Sequence, residues 1–219
     1  MDFAAPLAAH GLSPLGAFHP GPDDGVPGAP GTLVLVGGVG NSFWAAFEGA
    51  RRDESDPLDA WSRRVIDGVA RQVGATALYP FEGPPWLPFQ RWAMEALGLK
   101  PSPLGLLIHP EHGLWLSWRG ALAFAERRDL PPPPRPDHAC DACPDRPCLH
   151  ACPVAAFRNG GYDIPACLSH LREMQGVECR EWGCRARRAC PVGRAHIHPP
   201  AQARFHMQAF LWTRGGAGS

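Results

Sequence analysis

Lysine is almost missing from this chain. Lys100 is the single lysine among 21 basic residues, the rest are arginine, and 21 acidic residues balance them. A formal net charge of zero excludes the basic surface of a nucleic-acid binder and the polybasic patch of a membrane-surface protein, so neither nucleic acid nor membrane is expected among the partners. The preference for arginine over lysine reads mainly as genome composition. No apolar run is long enough to cross a bilayer. The opening stretch MDFAAPLAAHGLSPLG has no Lys or Arg ahead of its apolar residues, and Pro6, His10 and Pro14 interrupt it. No secretory signal is therefore expected, and the default location is cytoplasmic. Cysteine is absent from the first 139 residues.

What is there is concentrated. All eight cysteines lie between Cys140 and Cys190. A chain of 219 residues can bury a core without covalent staples, and in a reduced compartment clustered thiols point to metal or redox chemistry rather than disulfides. The run Pro131 to Pro136 is stiff and extended, which marks a boundary. The expected division is an α/β domain over residues 1–130 and a cysteine domain over 131–219.

The first part alternates strand and helix signals. GTLVLVGG reads as a buried strand, and ATALYP as a second one. Asn41 and Ser42 are candidate caps for a helix through Ala50. Asp56-Pro57 opens a helix whose Leu58, Trp61, Val65, Ile66, Val69 and Val73 share one face. LPFQRWAMEALGL forms a helix closed by Gly98, and LGLLIHPEHGLWLSW reads as two strands joined by a turn at Pro110 to Gly113. The expected class is α+β: an N-terminal α/β sandwich followed by a cysteine-bearing domain. In that second domain Asp163-Ile164-Pro165 opens a helix carrying Cys167 and Leu171. The stretch PPAQARFHMQAFLW reads as a final helix with Phe205, Met207, Phe210 and Leu211 as packing residues, and TRGGAGS as a frayed tail.

The cysteines fall in two sets. The first is Cys140-x2-Cys143-x4-Cys148-x3-Cys152-Pro153. The second is Cys179-x4-Cys184-x5-Cys190-Pro191, with Cys167 between the two. In bacterial two-cluster ferredoxins a run of this kind gives three thiolates to one cube, and the Cys-Pro thiolate crosses to the other. Applied here, that rule assigns Cys140, Cys143, Cys148 and Cys190 to one [4Fe–4S] cluster and Cys152, Cys167, Cys179 and Cys184 to a second. Eight ligands then serve two clusters with none left over. Zinc competes, because eight thiolates could also form two four-thiolate sites, although only Cys140 and Cys143 have the usual knuckle spacing. Arg180, Arg185, Arg187, Arg188 and Arg194 would offset cluster charge or form a solvated basic surface. His138, His150 and His170 read as neighbours of the ligands or as surface residues, not ligands.

Other motifs are weaker. Gly38-x-Gly40 begins a nucleotide-loop pattern but has Phe43 at the third glycine position, which favours a plain strand-to-helix turn. FEGPPWLPFQRW reads as core packing or a wall, with a flat cofactor pocket as the lesser alternative. His109, Glu111, His112, Trp115, Trp118 and Arg119 surround the expected hairpin as a polar turn tip, with a metal site as the lesser alternative.

Residues 138–191 resemble the dicluster ferredoxin-like module of the epoxyqueuosine reductase and reductive dehalogenase group. Cys167 matches the lone central cysteine of that module, and Cys152 and Cys190 match its two Cys-Pro positions. The resemblance implies a nitroreductase-like N-terminal domain and a cobalamin fed with electrons by the clusters. The stretch LLIHPEHGLWLSWRGALAF is faintly similar to strands of cobalamin-processing members. The chain departs from the group where position 187, near a cysteine of the relatives, is arginine. The expected function is single-electron transfer through two [4Fe–4S] clusters to a redox partner protein or small-molecule acceptor. The alternatives are a cobalamin- or flavin-dependent reductase, which would make the chain an oxidoreductase, and a zinc-stabilised interaction module.

Overall fold

The computed structural model describes residues 3–158 and 160–215. In chain order the strands are β1 (Ser13–Phe18), β2 (Thr32–Val39), β3 (Thr76–Leu78), β4 (Lys100–Pro101), β5 (Leu107–Ile108), β6 (Leu116–Phe124), β7 (Phe157–Arg158) and β8 (Gly161–Tyr162). The helices are α1 (Ala4–Ala8), α2 (Trp44–Ala50), α3 (Pro57–Val73), α4 (Phe89–Leu97), α5 (Pro147–His150), α6 (Ile164–Arg172), α7 (Val177–Trp182), α8 (Arg185–Arg188) and α9 (Pro200–Gly215). The class is mixed α+β. The chain divides into two compact units: Met1–Leu99 with Leu116–Pro136, and Lys100–Trp115 with Asp137–Ser219.

The first unit is built on an antiparallel sheet of order β1-β2-β6-β3. Strands and helices alternate along the chain, which suggested α/β layering, yet each pairing in this sheet is antiparallel. β2 is buried at every residue from Thr32 to Gly38, so both of its faces are covered and its sequence is a continuous apolar run. α3 packs on β6 and β3, and α4 and α1 pack on β1. In α3 the residues Leu58, Trp61, Ile66, Val69 and Val73 are buried as their spacing requires, and Val65 is half-buried at the edge of that stripe. Gly98 closes α4 at φ +63.

The register of β2 against β6 shifts between Val36 and Gly37, which face Gly120 and Trp118 and leave Arg119 without a Cα partner. Such a bulge re-aims a side chain. Arg119 donates to Ser62 Oγ at 3.0 Å and pairs with Asp59 on α3. Burial pulls the Arg119 guanidinium down from its usual range, while Asp59 opposes the change. Arg119 is thus a structural tie between sheet and helix, not part of a turn tip.

Three local expectations are corrected. Asn41 and Ser42 give no side-chain cap to α2, whose N-cap is Phe43. Ser42 Oγ instead donates to the Gly11 carbonyl at 2.8 Å. The strands flanking Pro110 to Gly113 do not form one hairpin. β5 pairs with β4, whereas β6 pairs with β2 and β3, and only a bridge between His109 and Gly113 closes the turn. The cut expected at residue 131 also moves. The proline run stays with the first unit, where the Pro134 carbonyl lies 2.3 Å from where a Cβ on Gly98 would stand. Residues 100–115 join the cysteine unit.

That second unit is built from the short helices α5 to α8, the longer α9 and two short antiparallel pairs, β4 with β5 and β7 with β8. Asp163 caps α6 by accepting the Ala166 N–H at 2.9 Å. α9 runs to Gly215, so Thr213 to Gly215 of the expected tail are helical, and 216–219 lie outside the described residues. Gly113, at φ +59, lies against the segment after Cys190: a Cβ there would stand 2.1 Å from the Val192 carbonyl.

Candidate functional site

Short helices carry the cysteines. Pro147 opens α5 and places Cys148 in its first turn, α6 carries Cys167, α7 carries Cys179, and Cys184 caps α8. All eight are free thiols. They line two cavities. Cys140, Cys143, Cys148 and Cys190 line one, with Ser102, Ile108, Leu114 and Arg146. Cys152, Cys167, Cys179 and Cys184 line the other, with Leu104, Leu106, Tyr162, His170, Arg187, Met207 and Phe210. The first cavity is tight, about 20 Å³, and the second is roomy, about 300 Å³.

The thiols of each set feel one another. Burial raises Cys140 first, and Cys190, Cys148 and Cys143 add to the rise. Cys148 is raised by burial, then by Cys190 and Cys143, and Cys190 by burial, then by Cys143. In the other set burial raises Cys184, with Cys179 and Cys167 adding. It raises Cys167, with Cys152 and Cys179 adding, and it raises Cys179, with Cys152 among the further causes. Thiols crowded by one another and held from water resist ionisation until a cation compensates them.

Spacing along the chain carries no hint of the walls of these cavities. Leu104, Ile108 and Leu114, from the segment joining β4 and β5 to the turn after them, pack with Cys148, Ala186 and Cys190 in one apolar cluster. This segment is rich in Pro and Gly, and cysteine spacing says nothing about what covers the thiols. Ser102 N–H donates to the Leu106 carbonyl at 2.7 Å, and Gly105 turns at φ +75.

The arginines separate into distinct roles. Arg187 donates to the Leu114 carbonyl at 3.1 and 2.6 Å and lies 4.2 Å from the Trp115 ring centre. Burial pulls it down to about 10, with Cys184 opposing, so it is cationic at neutral pH. Arg188 and Arg185 pair with Glu178 at 2.6 and 3.5 Å. Arg180 donates to the carbonyls of Leu171 and Glu173, and Arg194 is exposed. Only Arg185 and Arg187 of the five line the second cavity.

Among the histidines, His150 is exposed and His138 half-buried. His170 lines the second cavity with Nε2 buried and without a hydrogen-bond partner. His109 and His112 stack at 4.4 Å. His109 Nδ1 accepts the N–H of Glu111 and of His112 at 3.2 Å, and His112 Nδ1 meets His196 Nε2 at 3.3 Å. They form a knitted turn, whereas Trp115, expected at its tip, is buried. Among the described residues no three Cys, His, Asp or Glu side chains gather closely enough to hold a single metal ion.

The other sequence candidates are structural. Phe43 is fully buried, and its ring would stand 2.5 Å from a Cβ on Gly38, so that glycine makes room for a side chain. In the aromatic stretch Phe89 and Trp92 are buried and Trp86 is 64% exposed. Among the described residues no helix is long and apolar enough to cross a membrane.

No family model matches this chain, and no curated protein matches it. A solved structure of epoxyqueuosine reductase from Bacillus subtilis aligns with 80% of this chain and 52% of that one, at 16% identity and a TM-score of 0.49. The chain thus spans about half the length of that protein.

Proposed function

We propose that this protein holds two [4Fe–4S] clusters, one on Cys140, Cys143, Cys148 and Cys190 and one on Cys152, Cys167, Cys179 and Cys184, and passes single electrons between redox partners. The observation that carries the reading is the sorting of eight thiols around two cavities, four to each, and the cysteines that raise Cys140, Cys148, Cys190, Cys167, Cys179 and Cys184 come in each case from the same set. The donor chemistry fits. Four thiolates complete a cube, and the buried His170 Nε2, without a partner in the second cavity, would find an acceptor in a sulfide.

Such clusters supply one-electron oxidation and reduction. The chain's own part is to bind and shield. Leu104, Ile108 and Leu114 keep water from the thiolates, Tyr162 hydrogen-bonds Cys167, and Arg187 brings a fixed cation beside Cys184. Cys152 and Cys190, each ahead of a proline, join the set to which their neighbours in sequence do not belong.

Anaerobic purification with iron and acid-labile sulfide analysis is the test. About eight irons and eight sulfides per chain are expected. Zinc in their place, or a colourless protein without labile sulfide, rejects the reading. Adding cobalamin or flavin to the loaded protein decides between carrier and reductase: no change in the absorbance of either is expected, and tight binding would make the protein a reductase instead.

A further inference from the structure

Two sets of four thiols need not be electrically alike. In the wall of the second cavity the Arg187 guanidinium is held by the Leu114 carbonyl on one side and by Trp115 on the other, so its charge cannot swing into water. Every thiol of the second set also receives a hydrogen bond. Ala156 N–H donates to Cys152 at 3.3 Å, the Tyr162 phenol to Cys167, Arg185 N–H to Cys179, and the N–H groups of Ala186 and Arg187 to Cys184. At the first cavity the cation is Arg146, which is exposed and therefore screened by water and salt. Among the described residues, donors to the first set reach Cys148, from Leu149 and its own N–H, and Cys190, from Val192. A thiolate-held cluster gains negative charge on reduction, so a fixed cation and hydrogen bonds to sulfur favour the reduced form and raise the potential.

We propose that Arg187, assisted by Tyr162, is a tuning residue that makes the Cys152, Cys167, Cys179 and Cys184 site the more easily reduced of the two. This rests on the two-cluster reading.

The test is an anaerobic potentiometric titration of the full chain with dithionite, followed by electron paramagnetic resonance. Cys140→Ala identifies the signal of the second site as the one that survives. The second midpoint is expected above the first. Arg187→Gln is expected to lower the second midpoint and leave the first in place, Arg187→Lys to restore it in part, and Tyr162→Phe to lower it by less than Arg187→Gln. A first site with the higher midpoint overturns the proposal. So does an Arg187→Gln protein with full iron content and an unmoved second midpoint, or one in which both midpoints move together. Should Arg187→Gln lose iron, Tyr162→Phe decides, and an unchanged second midpoint there rejects the idea. Wild-type protein without iron and labile sulfide fails the two-cluster reading itself, before any potential is measured.

Discussion

Cys152 and Cys190 are the residues whose neighbours in sequence and neighbours in space differ most. Cys152 follows Cys148 by four positions yet lines a cavity with Cys167, Cys179 and Cys184, and Cys190 lines one with Cys140, Cys143 and Cys148. A tight loop can wrap three corners of a cube, and the proline after each of these cysteines turns the chain away from the fourth. If the sets act as proposed, Cys190→Ala and Cys140→Ala should abolish the same resonance signal and leave roughly four irons, while Cys152→Ala abolishes the other. Matching spectra from Cys140→Ala and Cys152→Ala would mean that each run of cysteines closes its own cluster. Cys-Pro spacing is what suggests this partition. The anchoring of Arg187 was not legible, because its acceptor, the Leu114 carbonyl, is a backbone atom far along the chain that no side-chain pattern reports.

At the scale of elements, helices were read more surely than strand partners. The stripe of α3, the Asp163 start of α6 and the Gly98 end of α4 are local matters of spacing and capping. Pairing is not local. The apolar stretches around Pro110 look like one hairpin, yet β5 finds β4, two residues containing a proline, and β6 finds the two strands of another unit. Close approaches between elements are equally invisible. Gly176 is buried between α6 and α7, where a Cβ would stand 2.0 Å from the His170 carbonyl. Backbone cannot yield as a side chain can, so Gly176→Ala should destabilise the protein by about 1–3 kcal/mol. The shift falls beside Cys179 and His170, and iron analysis of the variant should show the second set emptied while the first stays loaded. Full iron content with an unchanged Tm would contradict this.

For the whole molecule, acid is the informative variable. His198 is buried against Trp115 and His206. Its pKa is pushed down to about 2, by burial first and then by the charges of Arg187 and His206. In the unfolded chain it titrates near its ordinary value of about 6.5. Above that value both states are neutral and stability is full. As pH falls below it, the unfolded chain binds a proton that the native state refuses, so stability declines by up to about 1.4 kcal/mol per pH unit. Thermal unfolding between pH 7.5 and 5.5 should show Tm falling with acidification, and His198→Leu should flatten that fall, gaining more at pH 5.5 than at pH 7.5. Equal gains at both values would remove His198 as the cause.

By itself the sequence determined the α+β class, the apolar stripe of α3, the Asp163 start of α6 and the Gly98 end of α4, because each depends on spacing along a few turns of chain. Only the tertiary structure decided that residues 100–115 leave the sheet unit to wall the cysteine cavities, that a bulge turns Arg119 onto α3, and that Arg187 is clamped beside the second set alone. Those outcomes depend on which distant backbone atoms come within hydrogen-bonding or van der Waals reach, and composition and periodicity do not encode that distance.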